Sequence, residues 1–462
     1  RLKEMVRLAA GLDGENQLQP VAMERAIECL GRFGERLREI PARGVRVVGT
    51  NTLRLARNSN EFLCLARQAI GHRIDIISGI EEARLIYLGV AHNVPLDEKQ
   101  RLVIDIGGGS TEVIIGKGFN PLYLESLYTG CVGTSQQFFA DGHITLERMR
   151  RCELAAMQEF EPLQTSYRQI GWDTAVGSSG TIFNIASVLQ NNSNGGKGIT
   201  PAGLQWLRDA LVDAGNVNAI DLPGLQPERA PVFPGGVAIM SAAFEVLGIK
   251  RLEPVGGALR EGILYDLLGR FGPEDARETT IRNLVARYQI DTGQAGRVEA
   301  TALSLLAQVA EAWRLNKQKY TNMLRWAANL HELGLAIVHA QYHKHGAYLI
   351  QHADLPGFSL DEQTILAGLV EAHRRKFPLR VLHELPIKQS RAVRLAALLR
   401  IAVVLHRARR EAQPPQLKAR ADGDDMQLTF PDEWLKNHPL SLADLDQESS
   451  YLRAAGIRLT IV

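Results

Sequence analysis

Three consecutive glycines at the end of an apolar strand constrain this chain more than any other feature. Residues 103–112 contain, in order, a carboxylate in the strand, the glycine turn, a serine and a second carboxylate: Asp105, Gly107, Gly108, Gly109, Ser110 and Glu112. Because glycine has no Cβ, backbone N–H groups in such a turn can face a bulky anion. Two flanking carboxylates suit a hard cation that bridges protein and phosphate oxygens. The segment predicts a phosphate site with Mg²⁺, and an ordinary glycine hairpin is the alternative.

Composition limits the broad class of protein. The chain has 462 residues, enough for several domains, and its 45% hydrophobic and 23% charged content argues against extended disorder. A net charge of +2 gives no reason to expect a nucleic acid partner. The four cysteines are scattered without a CxxC pair, so no zinc knuckle or disulfide framework is expected. These features favour a cytoplasmic protein, and we recognise no apolar run of membrane-spanning length.

Short apolar strands alternate with helical periodicity in the first hundred residues, and this favours a layered α/β sheet. Helices are predicted over 21–40, over 52–70 and from about 81. Strands are predicted at 45–48, 74–77 and 102–106, followed by a hairpin of 112–116 with 122–127 and by strands at 174–176 and 252–255. Later helices are predicted near 145–168, 182–190 and 201–215, and from the glycines at 256–257 to 270.

Two breaks divide the rest of the chain. Residues 271–275 (Phe-Gly-Pro-Glu-Asp) mark a boundary, and periodicity predicts that 274–410 is helical. Residues 413–415 (Gln-Pro-Pro) mark a second boundary, after which strands are predicted at 426–430 and 457–462. The sequence therefore predicts a helical domain and then a small terminal unit that follow the α/β region.

Charged residues after the early strands are candidates for catalysis. Glu81 and Glu82 open a predicted helix, where acidic residues often only complement the helix dipole. In the functional interpretation, one of them positions and deprotonates a water near the phosphate turn. Arg54 follows another strand and could grip phosphate oxygens, with an exposed helix arginine as the alternative.

Two further glycine turns lead from strands into helices and suit the approach of an anion or substrate. Their candidate binding residues are Gly177, Ser178, Gly180, Gly256 and Gly257. The glycine-rich residues 194–198 lack the serine or threonine that a Walker loop needs after its lysine, so a surface loop is the better interpretation.

The helical region is rich in histidine and arginine. A metal-dependent site of the His-Asp type would need a carboxylate after the ligand histidine, and Glu332 follows His331 where aspartate is expected; structural histidines are the favoured alternative. Residues 374–410 carry many arginines and few acids. That bias is explained equally by solvated helix faces and by a groove for a long polyanion.

Five motifs occur together in one order along the chain: Asn-Thr-Leu-Arg at 51–54, Ser-Gly-Ile-Glu-Glu-Ala-Arg at 78–84, the glycine-turn segment at 103–112, Gly-Ser-Ser-Gly-Thr at 177–181 and Gly-Ala-Leu-Arg-Glu-Gly at 257–262. Their combination resembles the exopolyphosphatase/guanosine pentaphosphate phosphohydrolase family over essentially the whole chain. The helical region resembles the long bacterial members. This resemblance implies actin-like, sugar-kinase-like α/β domains at 1–90 and 91–270 with the active site between them. It further implies a helical His-Asp-like domain at 274–410 and a small α+β domain at 411–462.

The resemblance also implies roles for individual residues. Glu82 would be the general base, Asp105 and Glu112 would hold Mg²⁺ directly or through water, Gly107 to Ser110 would bind terminal phosphates, and Arg54 would add positive charge. The family's first phosphate loop, an acidic-Gly-Ser-Asn segment, is absent, and we expect that the sequence given begins after it.

The activity implied by the resemblance is processive hydrolysis of terminal phosphate from inorganic polyphosphate. Guanosine pentaphosphate is the alternative substrate, and a silent polyphosphate or nucleotide sensor is a rival from another class. A homodimer is expected and no nucleic acid partner, while peripheral membrane association is left open.

Overall fold

The computed structural model describes residue 4 and residues 6–95, 97–192, 198–270, 275–409 and 417–462. The predicted boundary residues 271–274 and 413–415, the loop residues 194–197 and Arg410 lie outside the described residues. The chain divides into two compact units, Arg1–Asp275 and Ala276–Val462. They are called unit 1 and unit 2 below.

Unit 1 is an α/β structure. Its helices are α1 (Pro20–Leu37), α2 (Asn51–Leu55), α3 (Ser59–Ile70), α4 (Gly79–Ala91), α5 (Cys131–Phe139), α6 (Leu146–Phe160), α7 (Gln164–Ile170), α8 (Gly180–Asn191), α9 (Pro201–Ala214), α10 (Phe233–Leu247) and α11 (Leu259–Gly269). Its strands are β1 (Val47–Gly49), β2 (Ile74–Ile76), β3 (Gln100–Ile106), β4 (Thr111–Lys117), β5 (Asn120–Leu127), β6 (Thr174–Gly177) and β7 (Glu253–Pro254). Strands β1 and β2 pair in parallel, and the other five form one sheet in the order β5-β4-β3-β6-β7.

The mixed five-stranded sheet determines where the phosphate turn lies. Strands β3 and β4 are antiparallel and buried over almost their whole length, which explains their nearly continuous apolar sequences. Strand β6 pairs with β3 in parallel, so the carboxyl ends of β3 and β6 lie at the same edge of the sheet. The turns that follow these two strands are therefore brought together.

Two helices of unit 1 were missed by periodicity. Helix α10 is buried on nearly all sides, so its sequence shows no polar face. Together with the preceding 3₁₀ turn it forms the stretch Pro227–Leu247, which is long and apolar enough to cross a membrane but is mostly buried in the core of unit 1. Helix α5 is short and contains a glycine. The helix predicted over 52–70 is instead two helices, α2 and α3, interrupted at residues 56–58.

Unit 2 is mostly helical, with α12 (Ala276–Arg287), α13 (Thr292–Val309), α14 (Gln318–Leu330), α15 (Tyr342–His352), α16 (Leu360–Ala372), α17 (Leu379–Glu384), α18 (Gln389–Leu405), α19 (Trp434–Asn437) and α20 (Pro439–Ala454). Strands β8 (Lys418–Asp422), β9 (Asp425–Thr429) and β10 (Arg458–Ile461) form a small sheet in the order β10-β9-β8. Apolar residues of this sheet and of α20 share one core with the preceding helices.

Candidate active site

Four polar side chains lie in a row across the large sheet. Asp105 on β3 is directly opposite Glu112 on β4, and Glu112 is directly opposite Ser126 on β5. Opposite residues of antiparallel strands project from the same face. The Ser126 hydroxyl donates to Glu112 Oε1 at 2.9 Å, and on the other side the hydroxyl of Ser178, which follows β6, donates to Asp105 Oδ2. Strand pairing thus places two buried carboxylates side by side, each with a serine on its outer side.

Glu82 lies in the first turn of α4. The helix begins at a good N-cap, because the Ser78 hydroxyl accepts a bond from the Glu81 amide at 3.1 Å. Glu82 Oε2 accepts a bond from Arg54 Nη1 at 2.9 Å, and the same nitrogen donates to the Ile77 carbonyl oxygen at 2.9 Å. Arg54 and Glu82, which the sequence analysis selected separately, are therefore in contact, and Arg54 holds the Glu82 carboxylate in one orientation.

Glu81, the other acid of the pair, has different contacts. It is completely buried, and both of its carboxylate oxygens accept bonds from Arg84, at 2.7 and 2.9 Å. An isolated pair of acids at a helix start does not reveal which one faces a site. The structure separates them, since Glu81 is committed to a buried ion pair while Glu82 lies on the side of Arg54.

Burial dominates the electrostatics of the carboxylates. It raises the pKa of Asp105 to about 7, against the effect of the Ser178 hydrogen bond and helped by the charge of Glu82. Burial, followed by the charges of Glu82 and Asp105, raises the pKa of Glu112 well above its usual range. Burial also raises the pKa of Glu82, although Arg54 opposes this. Among the described residues, Arg54 is the one cationic side chain that pairs with any of these three acids.

The glycine turn is held by the start of α5. The amides of Cys131 and Val132 donate at 2.9 Å to the carbonyl oxygens of Gly107 and Gly108. Because C=O and N–H point in opposite directions across a trans peptide, the N–H groups of Gly108 and Gly109 point away from α5. The Gly107 N–H donates to the Ser110 carbonyl oxygen at 2.9 Å. Gly108 and Gly109 thus keep the N–H groups best placed to meet an anion.

Asn51 and Ser110 complete the surroundings of this turn. A Cβ on Gly109 would collide with Asn51 Oδ1, so this glycine is required by a close approach. The Ser110 side chain is buried and lies close enough to Glu112 to lower the pKa of that carboxyl, against the larger effect of burial. Its predicted contact with phosphate would have to be shared with this carboxylate.

The turn after β6 lies beside the first one. Ser179 has φ of 107°, a strained conformation for a residue other than glycine, and its hydroxyl caps α8 by accepting from the Ile182 amide at 3.3 Å. A Cβ on Gly180 would collide with the Arg229 guanidinium. Arg229 therefore adds a positive charge next to Gly177, Ser178 and Gly180. Sequence analysis missed it, because it lies in an aperiodic, proline-rich segment.

Gly256 and Gly257 lie beside the other end of α4. A Cβ on Gly257, where φ is +83°, would collide with the Gly89 carbonyl oxygen and with Asn93. Close packing accounts for this glycine. The role in substrate binding that the sequence analysis gave to Gly256 and Gly257 stays a prediction.

Asp105 and Glu112 are the side chains expected to hold Mg²⁺. In the part of the chain that the structure describes, no three His, Cys, Asp or Glu side chains are close enough to hold a metal ion by themselves. Mg²⁺ typically binds through one or two carboxylates, several waters and substrate phosphates. Asp105 and Glu112 supply such a pair, and no ion pair of the described residues joins either of them to an arginine or a lysine. The residues present fit the ion.

Three histidines of unit 2, His331, His343 and His373, form a buried group. The Nδ1 atoms of His331 and His373 contact backbone oxygens at 2.7 and 2.6 Å. Glu332, the residue expected to replace the aspartate of a His-Asp site, is bound by Arg409. This pairing and the burial support the structural interpretation of these histidines.

Many cations of the basic stretch 374–409 already have partners. Five of its arginines pair with carboxylates: Arg380 with Glu384, Arg394 with Asp424, Arg400 with Glu448, Arg407 with Asp444 and Arg409 with Asp291 and Glu332. Arg400 is fully buried, so it belongs neither to a solvated helix face nor to an open groove. Fewer arginines are therefore available to bind a polyanion in a groove than the sequence suggested.

Comparison with known proteins identifies the family. The sequence profile of the Ppx/GppA phosphatase family matches residues 1–271, and that of Ppx/GppA phosphatase domain III matches residues 276–449. The chain belongs to the Ppx/GppA phosphatase family. It is 42% identical over 446 residues to a guanosine-5′-triphosphate,3′-diphosphate pyrophosphatase of Aeromonas hydrophila, an alignment that covers 96% of this chain and 90% of the relative.

Solved structures of Ppx/GppA-type proteins share the fold. An exopolyphosphatase from Cytophaga hutchinsonii matches with a TM-score of 0.51 and 23% identity, over 57% of this chain and 88% of the other. An exopolyphosphatase-like protein matches with a TM-score of 0.52 and 22% identity, over 58% of this chain and 91% of the other. The predicted fold class, an actin-like α/β core followed by a His-Asp-like helical domain and a small α+β unit, is confirmed. The protein is a hydrolase that acts on phosphoanhydride bonds.

Proposed function

We propose that this Ppx/GppA phosphatase removes the terminal 5′-phosphate of guanosine 5′-triphosphate 3′-diphosphate. The observation that carries the proposal is the 42% identity, over nearly the whole chain, to a relative named for that substrate. It favours guanosine pentaphosphate over inorganic polyphosphate, which the sequence analysis preferred. The alignment extends over both units, so the support does not rest on the phosphate turn alone.

The chemistry assigned to the site is attack of water on the terminal phosphorus. Glu82 accepts a proton from that water, and the burial that raises its pKa makes it a better base than an exposed carboxylate. Arg54 keeps the accepting oxygen in one place through its 2.9 Å bond. The N–H groups of Gly108 and Gly109 stabilise charge on the transferred phosphoryl oxygens. The phosphoanhydride oxygen leaves with the nucleotide, and no covalent phosphoenzyme is required.

Asp105 and Glu112 are assigned to a magnesium ion. When bound, the ion supplies positive charge that neutralises phosphate oxygens and orients them. The two carboxylates are held for this task by the hydroxyls of Ser178 and Ser126. Arg229, beside Gly180, is assigned to a phosphate group of the substrate because it is a cation within the same pair of turns.

Inorganic polyphosphate is the second candidate substrate. It presents the same terminal phosphoanhydride, and the Cytophaga hutchinsonii exopolyphosphatase shares this fold. The residues that surround the reacting phosphate do not distinguish the two substrates, since both substrates end in the same chemical group.

The test is a comparison of phosphate release from four substrates: guanosine pentaphosphate, GTP, long-chain polyphosphate and tripolyphosphate. We expect the largest kcat/KM for guanosine pentaphosphate, with guanosine tetraphosphate and one phosphate as products. GTP, which lacks the 3′-diphosphate, controls for recognition of that group. A larger kcat/KM for long polyphosphate would overturn the proposal in favour of exopolyphosphatase. No release from any of the four would overturn both.

A further inference from the structure

Helices α4 and α11 pack with their backbones in contact. A Cβ on Gly89 of α4 would collide with the Ala258 carbonyl oxygen, and a Cβ on Gly262 of α11 would collide with the Leu85 carbonyl oxygen. The facing positions are therefore 89 with 258 and 85 with 262, which is an antiparallel crossing in steps of four. Residues four apart lie on one helix face.

One more step along the same faces brings Glu81 opposite Asp266. Both are buried acids, and two guanidinium groups lie between them. Arg84 binds both oxygens of Glu81 and also Asp266 Oδ1. Arg46, which precedes β1, pairs with Asp266 and approaches Glu81 Oε1 at 3.6 Å. Two facing carboxylates are thus joined across the helix crossing.

Asp266 is the centre of this ion network. A third arginine, Arg270, donates through Nε to Asp266 Oδ2 at 2.8 Å. Although burial opposes it, the charges of these three arginines hold the pKa of Asp266 well below its usual range. Removing one member of a buried ion network leaves the others uncompensated, so the network resists rearrangement. It connects the segment before β1 with the first turn of α4 and the last turns of α11.

We propose that Asp266 is a positioning residue, which acts through Arg84 and Glu81 to fix the rotation of the first turn of α4 and so the direction of the Glu82 carboxylate. Glu81 and Glu82 are consecutive, so their side chains point about 100° apart around the helix axis. With Glu81 clamped on the α11 side, Glu82 is directed towards Arg54 and the carboxylate row. This inference rests on the proposed role of Glu82 as the base.

The expected consequence is a loss in kcat. A misplacement of about 1 Å far from the chemistry can cost about 100-fold in rate. We expect Asp266→Asn to lower kcat by about 10- to 100-fold and to leave KM within about threefold, because the phosphate turns do not contact this network. Arg84→Lys keeps the charge but loses the planar fork, and it should have the same effect in weaker form.

A double-mutant cycle with Glu82→Gln tests the mechanism. If Asp266 acts through Glu82, Asp266→Asn should not lower the residual kcat of the Glu82→Gln enzyme any further. The matched control is Glu448→Gln, which removes the charge from another buried carboxylate that pairs with arginine, in unit 2. It should change the melting temperature but not kcat. All variants are assayed as full-length chains, and circular dichroism confirms that they are folded.

Equal losses from Asp266→Asn in both backgrounds would show a general structural role and overturn the proposal, as would kcat within about twofold of the parent for both Asp266→Asn and Arg84→Lys. Failure of both variants to fold would also overturn it in favour of a scaffold role. Should Glu82→Gln itself retain full activity, the proposed base is wrong and the positioning role falls with it. If Glu82→Gln is inactive while Asp266→Asn and Arg84→Lys are active, the role of Glu82 as the base stands and only the positioning role of Asp266 is wrong.

Discussion

Unit 1 buries a group of acids and unit 2 buries a group of histidines, and the two groups differ in what surrounds them. Burial raises the pKa values of Glu82, Asp105 and Glu112, and it lowers that of His343 to about 4. The acids have Arg54 as their cationic partner, whereas arginines further depress the pKa of His343. One arginine beside three acids leaves the acid group with an excess of negative charge that a bound cation would offset, whereas the cations near the histidine group repel a further cation. The charges around a buried titratable cluster therefore decide whether it favours a cationic ligand.

The largest expected effect concerns the acid that faces Arg54. Glu82→Gln should lower kcat by about 10²–10⁴-fold, because the amide cannot accept the proton of water, while the substrate KM changes little. Phosphate release under saturating substrate measures this. Glu98→Gln is the matched control, since Glu98 is an exposed acid of the same unit, and it should retain the parent rate. If the activity of Glu82→Gln stays within a few-fold of the parent, Glu82 is not the general base.

The next effect is on the requirement for metal. Asp105→Asn or Glu112→Gln should raise the Mg²⁺ concentration for half-maximal activity by about tenfold or more, because each removes one charged ligand. The measurement is a Mg²⁺ titration of kcat at fixed substrate. A lower rate with an unchanged Mg²⁺ midpoint would show that the two carboxylates do not bind the metal ion. The acid group would then no longer differ from the histidine group in binding a cation.

The two groups should respond oppositely to pH in the metal-free protein. Asp105 has a folded pKa of about 7 and an unfolded pKa of about 4, so the folded state holds a proton that the unfolded state releases. Its contribution to stability is therefore present at low pH and lost as the pH rises to about 7. His343 has a folded pKa of about 4 and an unfolded pKa of about 6.5, so its contribution is lost as the pH falls between these values.

Calorimetric melting of the metal-free chain between about pH 4.5 and 8 checks both signs. Asp105→Asn should remove the part of the stability that is lost as the pH rises from about 4 to about 7, and His343→Gln should remove the part that is lost as the pH falls from about 6.5 to about 4. Added Mg²⁺ should restore stability at about pH 8, because it binds the ionised carboxylates of the folded state. A stability that rises steadily with pH in the parent and in Asp105→Asn would contradict the assignment for unit 1.

The smallest effect is expected from the histidines. His331→Gln should change kcat by less than about twofold, because the Glu332 carboxylate beside it is bound by Arg409 rather than left open for a metal ion. Mn²⁺ or Zn²⁺, added at the Mg²⁺ concentrations used in the activity assay, should not raise the melting temperature of the transition assigned to unit 2. Stabilisation by either ion that His331→Gln abolishes would show a metal site there, and the contrast between the two groups would disappear.

The sequence alone was sufficient to predict those parts of the fold and of the site that depend on residues close together in the chain. The strand-turn-strand motif predicted that Asp105 and Glu112 flank a glycine turn, and period-2 and period-3.6 patterns located most strands and helices. Helix α10 was missed because it is apolar on nearly every side. Ser126 is opposite Glu112 because the register of β4 and β5 shifts between Ile115 and Gly116, and counting back from the hairpin turn would have pointed to Glu125 instead.

Other site residues depend on contacts that no local pattern carries. Arg229 reaches Gly180 across some fifty intervening residues that include a proline-rich segment. Asp266 meets Arg84 only because α4 and α11 cross at their glycines. The choice of Glu82 over Glu81 came from the family motif, and the structure supplies its physical basis through the different partners of the two acids.

Asp105 and Glu112 are directly opposite each other on β3 and β4. This pairing depends more on the number of residues in the glycine turn than on which residues they are. Side chains alternate between the two faces of a strand, so deleting or adding one residue between Ile106 and Thr111 would leave Asp105 in place and turn Glu112 to the other face. Ser126, which is held opposite Glu112 by the separate β4–β5 turn, would turn away together with it. A substitution in the turn changes one contact, whereas a one-residue change in its length separates the two acids altogether. Natural variation in this hairpin should therefore tolerate exchange of residues and avoid insertions and deletions.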